Sequence, residues 1–141
     1  MTRNALVGTW RLVSWELRDD EGHVSYPFGR DALGYLTFTD DGHMSVIITT
    51  ADRQAFAGDD MLRGTAEEKA GAAETCVAYC GTYRLDDDTV LIQVEASLFP
   101  NWLGTTQERR IERDGERIIL SLPPSVWLAR RQVARLVWAR V

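Results

Sequence analysis

The sequence predicts an all-β protein: an antiparallel up-and-down β-barrel of about eight to ten strands, with one inserted helix covering its mouth. Three observations predict it. Gly8-Thr9-Trp10 near the start is answered by Trp138-Ala139-Arg140 at the end. A glycine lets the chain turn into a strand, a tryptophan fills the narrow end of a closing sheet, and an arginine lays its guanidinium plane on an indole. The two ends of the chain should therefore meet. Turn signals recur about every ten residues between short alternating runs, the spacing of all-β folds. Only residues 65–77 read as helix.

Residues 6–18 open the barrel, with Trp10, Leu12 and Ser14 alternating against Arg11, Val13 and Trp15. Asp19-Asp20-Glu21-Gly22 turns the chain, and Tyr26-Pro27-Phe28-Gly29 ends the short segment that follows. Residues 34–39 meet residues 43–48 across Asp40-Asp41-Gly42, a hairpin signal that puts Leu36, Phe38, Met44, Val46 and Ile48 on the inward parity. Residues 51–64 are irregular and carry Phe56 and Met61 among small and acidic residues. Thr65-Ala66-Glu67-Glu68 has the form of a capping box and starts the alanine-rich helix. That helix and the loop before it either cover an open mouth or plug it. Residues 79–85 and 89–99 pair through Asp86-Asp87-Asp88, and residues 105–113 return after Pro100-Asn101-Trp102-Leu103-Gly104. Asp114-Gly115 leads into residues 118–122, Pro123-Pro124 interrupts the pattern, and residues 134–141 close it.

A chain of 141 residues builds one core, so residues 1–141 form a single barrel domain. A hydrophobic content of 45% with 26% charged residues is that of a soluble globular protein. The net charge of -5 argues against a nucleic-acid partner, which needs a concentrated basic face. Arg130, Arg131, Arg135 and Arg140 spread over two faces at strand spacing and read as solvated surface plus one closing residue. No apolar run approaches the roughly 20 residues that span a bilayer, and residues 1–7 lack the apolar core of a leader peptide. The expected location is cytoplasmic, with no membrane partner. There, Cys76 and Cys80, placed near the end of the helix, are free buried thiols. A metal pair completed by His23 or His43 lacks a second ligand pair of suitable spacing, so neither metal nor cofactor is expected.

The chemistry is expected on the two strands flanking Trp102. A turn centred there places Glu95 opposite Arg109, Ser97 opposite Gln107 and Gln93 opposite Ile111. The alternative face carries Glu108, Arg110 and Glu112, and burying three such charges is prohibitive. Burying Glu95 with Arg109 is far cheaper, because opposite charges at cross-strand distance compensate. Gln93, Glu95, Ser97, Gln107 and Arg109 therefore form a polar wall facing hydrocarbon, which is what a small-molecule site looks like.

Several stretches carry a resemblance. Gly8-Thr9-Trp10-Arg11-Leu12, Tyr26-Pro27-Phe28-Gly29, Asp41-Gly42-His43-Met44-Ser45, Tyr79-Cys80-Gly81-Thr82-Tyr83, Val94-Glu95-Ala96-Ser97 and Pro100-Asn101-Trp102-Leu103-Gly104-Thr105-Thr106-Gln107 resemble the lipocalin-like domain family, calycin-type barrels of bacteria and fungi. The resemblance implies a barrel holding one small ligand, and some such proteins in natural-product biosynthesis act as cofactor-free cyclases or isomerases. The family often has a histidine two residues before the glutamate; Gln93 stands there and does not take up a proton as an imidazole does.

The expected function is binding of a small, largely hydrophobic metabolite, with cyclase- or isomerase-type acid–base chemistry on it. Glu95 is the expected acid or base and Arg109 the expected anion binder. Tyr35, Phe38, Met44, Val46, Tyr83, Gln93, Ser97, Trp102 and Gln107 complete the ligand contacts. His43 reads as an exposed turn residue, with a second proton carrier as its alternative, and Tyr79 reads as barrel filling. The other reading is a carrier that binds without transforming, and a homodimer is compatible with both.

Overall fold

The barrel closes because the first and last long strands pair along nearly their whole length. The computed structural model describes residues 4–141; Met1, Thr2 and Arg3, part of the stretch read as lacking a leader, lie outside them. In chain order the elements are β1 (Gly8–Asp19), β2 (Val24–Ser25), β3 (Leu33–Phe38), β4 (His43–Thr49), helix α1 (Ala66–Glu74), β5 (Cys76–Asp86), β6 (Thr89–Ser97), a 3-10 turn (Pro100–Trp102), β7 (Thr106–Asp114), β8 (Arg117–Ser121), β9 (Ser125–Trp127) and β10 (Arg130–Arg140). Among the described residues eight strands form the closed antiparallel barrel, in the order β1-β3-β4-β5-β6-β7-β8-β10, with β1–β10 completing the ring. β2 and β9 are short additions to β1 and β10 at one end.

Alternation supplies the core. Leu36, Phe38, Met44, Val46 and Ile48 are all buried, as the hairpin parity predicts. At the closed end the Arg140 guanidinium lies 4.1 Å from the centre of the Trp10 ring. Its Nη1 and Nη2 donate to the carbonyls of Val7 (2.8 Å) and Ala5 (2.7 Å). Gly8 has φ of +130°, and a Cβ there would meet Arg140 Nη1 at 2.7 Å, so only glycine admits this closure.

Four expectations are corrected. The helix ends at Glu74 rather than near residue 77, with Thr75 at its C-cap. Cys76 and Cys80 consequently lie on β5, opposite Thr49 and Ser45, as half-buried free thiols. The capping box itself is present, with Glu68 N donating to Thr65 Oγ1 and Thr65 N to Glu68 Oε1. None of the helix's residues is buried; it flanks the mouth, to which Ala73 and Glu74 contribute, and does not plug it. The last strand begins at Arg130, not 134, because β9 pairs back onto it through Leu128 and Ala129. Those two residues have φ of +52° and +63°, so the hairpin forms without the Asn-Gly or Gly-Gly that would have signalled it.

Candidate ligand-binding site

The strand ends divide the barrel into a packed floor and an open mouth. Trp10, Phe38 and Leu6 fill the floor, with the Tyr83 ring edge-on to Phe38 at 4.8 Å. Above them lies a hollow of about 50 Å³, lined by Trp15, Trp102, Trp127 and Trp138 together with Tyr79 and Arg109. That is room for a few waters. Beyond it lies a mouth of about 570 Å³, walled by Phe28, Phe99, Leu98 and Leu128. Trp15, Val77, Trp102, Leu122 and Trp127 border both spaces and form the neck between them. The neck is aromatic: Trp15 meets Phe28 at 4.8 Å and Trp127 at 5.8 Å, and Trp102 meets Tyr79 and Phe99 at 5.4 Å each, all edge-to-face.

The polar groups of the hollow are few. Arg109, on β7, is 5% exposed. Its Nη1 donates to the Glu108 carbonyl (2.8 Å) and its Nη2 to the Tyr79 hydroxyl (3.3 Å), both neutral acceptors. It forms no ion pair among the described residues. No Asp, Glu or His lines the hollow among the described residues. Having accepted from Arg109, Tyr79 retains its own proton to donate. Trp15 Nε1, Trp138 Nε1 and Ser97 Oγ are buried without a hydrogen-bond partner among the described residues. Such orphans are uncommon in native interiors and ask for an explanation.

A β-bulge sets this arrangement. Between β5 and β6 the register shifts after Cys80, so that Gly81 faces Val94 while Cys80 faces Ala96, leaving Glu95 as the extra residue. A Cβ on Gly81 would come within 1.8 Å of the Gln93 carbonyl oxygen, so glycine is required. The extra residue flips the alternation. Val94 and Ser97 both point inward, Ser97 directly opposite Tyr79, whereas Gln93 and Glu95 are exposed.

The expected pairing of Glu95 with Arg109 is therefore corrected. Arg109 lies opposite Val90, five residues earlier, and Gln107 lies opposite Ile92. Residues past Gln93 pair with β5 alone, and the chain returns through the 3-10 turn, held by Val94 N to the Thr105 carbonyl (3.0 Å). Glu95 cannot reach the interior as acid or base, and Gln93 and Tyr35 are likewise on the outer face, Tyr35 being 52% exposed. Phe38 and Met44 are buried at or near the floor, and Val46 lines the hollow. Tyr83 also belongs to the floor, accepting from Asn4 Nδ2 (2.6 Å) and donating to the Thr39 carbonyl (2.7 Å). Gln107 borders the mouth, its Nε2 donating to Thr105 Oγ1 (2.8 Å). His43 is an exposed turn residue whose Nδ1 lies 3.4 Å from Asp41 Oδ1. The structure thus brings Arg109, Val46 and Trp102 to the hollow and Gln107 to the mouth, with Ser97 inward opposite Tyr79. Sequence reasoning missed Tyr79, Trp15, Trp127 and Trp138. Gly81, two residues after Tyr79 in an otherwise bulky strand, was the signal for a bulge at that level.

With that geometry in place, comparisons with known proteins give three findings. Residues 7–141 match the family described as lipocalin-like domain. A protein of Aspergillus oryzae named as a 4'-hydroxy-3'-methoxypropiophenone carrier protein is 36% identical over 93 residues, covering 60% of this chain and 84% of that protein. The crystal structure of a lipocalin-like protein from Bacteroides uniformis superposes with a TM-score of 0.51 at 12% identity, over 98% of this chain and all of the other. At that identity the superposition speaks for the fold alone.

Proposed function

The chain belongs to the lipocalin-like domain family, and from that premise we propose that it is a carrier for a small, largely hydrophobic aromatic metabolite, bound through the mouth with its polar end toward Arg109. The observation that carries this reading is a buried guanidinium without a carboxylate partner among the described residues, at the base of an aromatic-lined opening. A mouth of about 570 Å³ is within the usual 300–1,000 Å³ of ligand sites. The hollow below it takes a ligand's polar tip only if Trp102 or Trp127, both half-buried, moves aside. The name borne by the Aspergillus oryzae relative, an aryl ketone carrier, supports the same class of cargo.

Cyclase or isomerase chemistry is the second reading. Proton transfer needs a group whose affinity for protons suits working pH, placed within reach of the substrate. Glu95 points outward, and among the described residues the titratable side chains of the hollow are Tyr79 and Arg109, with Glu74 and Cys76 bordering only the mouth. Carriage is the better-supported reading.

The test is a titration with 4'-hydroxy-3'-methoxypropiophenone followed by tryptophan fluorescence, since four of the five tryptophans line the hollow. A saturable, one-to-one quench with the compound recovered unchanged is expected. A product accumulating over many turnovers overturns carriage in favour of catalysis. Failure of this ketone and of neutral apolar dyes such as Nile red to bind overturns both readings.

A further inference from the structure

We propose that the cargo is an oxyanion, an aromatic compound whose carboxylate or equally acidic oxygen pairs with Arg109; this rests on the carrier reading above. The argument is an inventory of donors and acceptors. Around the hollow stand the Arg109 guanidinium, the Tyr79 hydroxyl and the indoles of Trp15 and Trp138. Arg109 and the two indoles only donate, and Tyr79 has its acceptor side taken by Arg109. Trp15 Nε1 and Trp138 Nε1 have no acceptor among the described residues, although Trp15 is 5% and Trp138 2% exposed. No carboxylate, carboxamide or imidazole lines the hollow among the described residues. A ligand complementary to this set is dominated by acceptors; the inward Ser97 hydroxyl beside Tyr79 can donate or accept and does not change that demand.

Charge narrows the class further. A guanidinium is not deprotonated in proteins, so Arg109 is a full positive charge at 5% exposure, held by two neutral oxygens. A buried charge left without a counter-ion is costly, and a planar fork matches a carboxylate in two-point geometry. A neutral ketone satisfies one donor and leaves the charge uncompensated. An oxyanion satisfies two and neutralises it. The chain's net charge of -5 repels anions at long range, so any preference for one must arise at this local site.

The experiment compares 4-propionylbenzoate with its methyl ester, two probes of matched shape that differ in charge, in wild type, Arg109→Met and Arg109→Lys. In wild type the carboxylate is expected to bind about ten- to a hundredfold tighter than the ester, the range of a charge-assisted hydrogen bond in a dry site. In Arg109→Met the ratio falls to about one, the carboxylate losing far more affinity than the ester, and in Arg109→Lys a smaller preference persists. A measurement on wild type alone covers the case of a variant that does not fold: binding of the acid weakens as pH falls through the probe's own carboxyl pKa, and binding of the ester does not. Equal affinity for both probes in wild type overturns the oxyanion assignment and leaves the carrier intact. A carboxylate preference that survives in a folded Arg109→Met overturns the assignment to this residue. Binding of neither probe, nor of Nile red, overturns the carrier reading and this inference with it.

Discussion

The two ends of the barrel use the same residue types to opposite effect. At the floor, Trp10 and Arg140 are fully engaged: Trp10 Nε1 donates to the Leu6 carbonyl at 2.9 Å, and Arg140 stacks on the indole while holding two backbone carbonyls. Tyr83 both accepts and donates there. Around the hollow beneath the mouth, and among the described residues, Trp15 and Trp138 keep orphaned N–H groups, Ser97, inward beside Tyr79, an orphaned hydroxyl, and Arg109 a charge without a carboxylate. Satisfied polar atoms stabilise a fold, whereas unsatisfied ones are tolerated where something else completes them. The contrast teaches where to look for a ligand without any ligand in view.

The largest effect that sharpens this contrast is at the floor. Trp10→Ala is expected to lower unfolding free energy by about 3–5 kcal/mol, as for other large-to-small core changes, in urea denaturation. Ligand affinity of the protein still folded should be unchanged. A variant with weakened binding and near-normal stability would merge the two regions into one. Next comes Gly81→Ala, which drives a methyl into the Gln93 carbonyl and must displace the bulge. A loss of about 1–3 kcal/mol is expected from overpacking, together with weakened ligand binding, because Ser97 and Tyr79 share that register. If the variant binds normally, the bulge has no part in forming the site.

The barrel, its floor and its hairpin parity were legible because each rests on local alternation or on a conspicuous Gly–Trp–Arg pattern. The register between β6 and β7 was not. It is set by the long return through residues 94–105, which starts the β6–β7 ladder only at Gln93 and Thr106, while the parity of β6 itself changes at a one-residue bulge against β5 at Glu95. Arg109 and Gln107 kept their inward face, because β7 carries no bulge, while Glu95 and Gln93 lost theirs. β9 was invisible because Leu128-Ala129 is not a recognisable turn pair. The end of the helix was overrun because Thr75 caps it, and Cys76 and Val77 already belong to β5.

A smaller effect concerns pH at the floor. Burial first, then the charges of Asp40 and Asp41, raises the Tyr83 phenol above its ordinary 10.0, against a lowering by the Asn4 hydrogen bond. A raised folded value means that the neutral phenol stabilises the fold below about pH 10 and that this contribution is lost as pH rises through the folded value. Melting temperature should fall more steeply above pH 10 in wild type than in Tyr83→Phe, and ligand affinity at neutral pH should be the same in both. Identical alkaline profiles would remove Tyr83 from the account of the floor. Smallest of all, Ala129→Gly relieves a left-handed residue in the mouth hairpin, a penalty of about 1–2 kcal/mol partly offset by glycine's extra chain entropy of about 0.5–1 kcal/mol, and should raise stability by up to about 1 kcal/mol, read by denaturation. A loss instead would mean that the turn is not strained.

One comparison bears most directly on the claim that the mouth is held incomplete for a ligand: unfolding free energy and affinity for 4-propionylbenzoate, measured side by side in Arg109→Met and Arg140→Met. The account predicts that Arg109→Met keeps or gains stability while losing tenfold or more in affinity, and that Arg140→Met loses about 1–2 kcal/mol with affinity intact. If Arg109→Met instead loses stability and keeps its affinity, Arg109 is a structural residue like Arg140, and the contrast between the two ends fails.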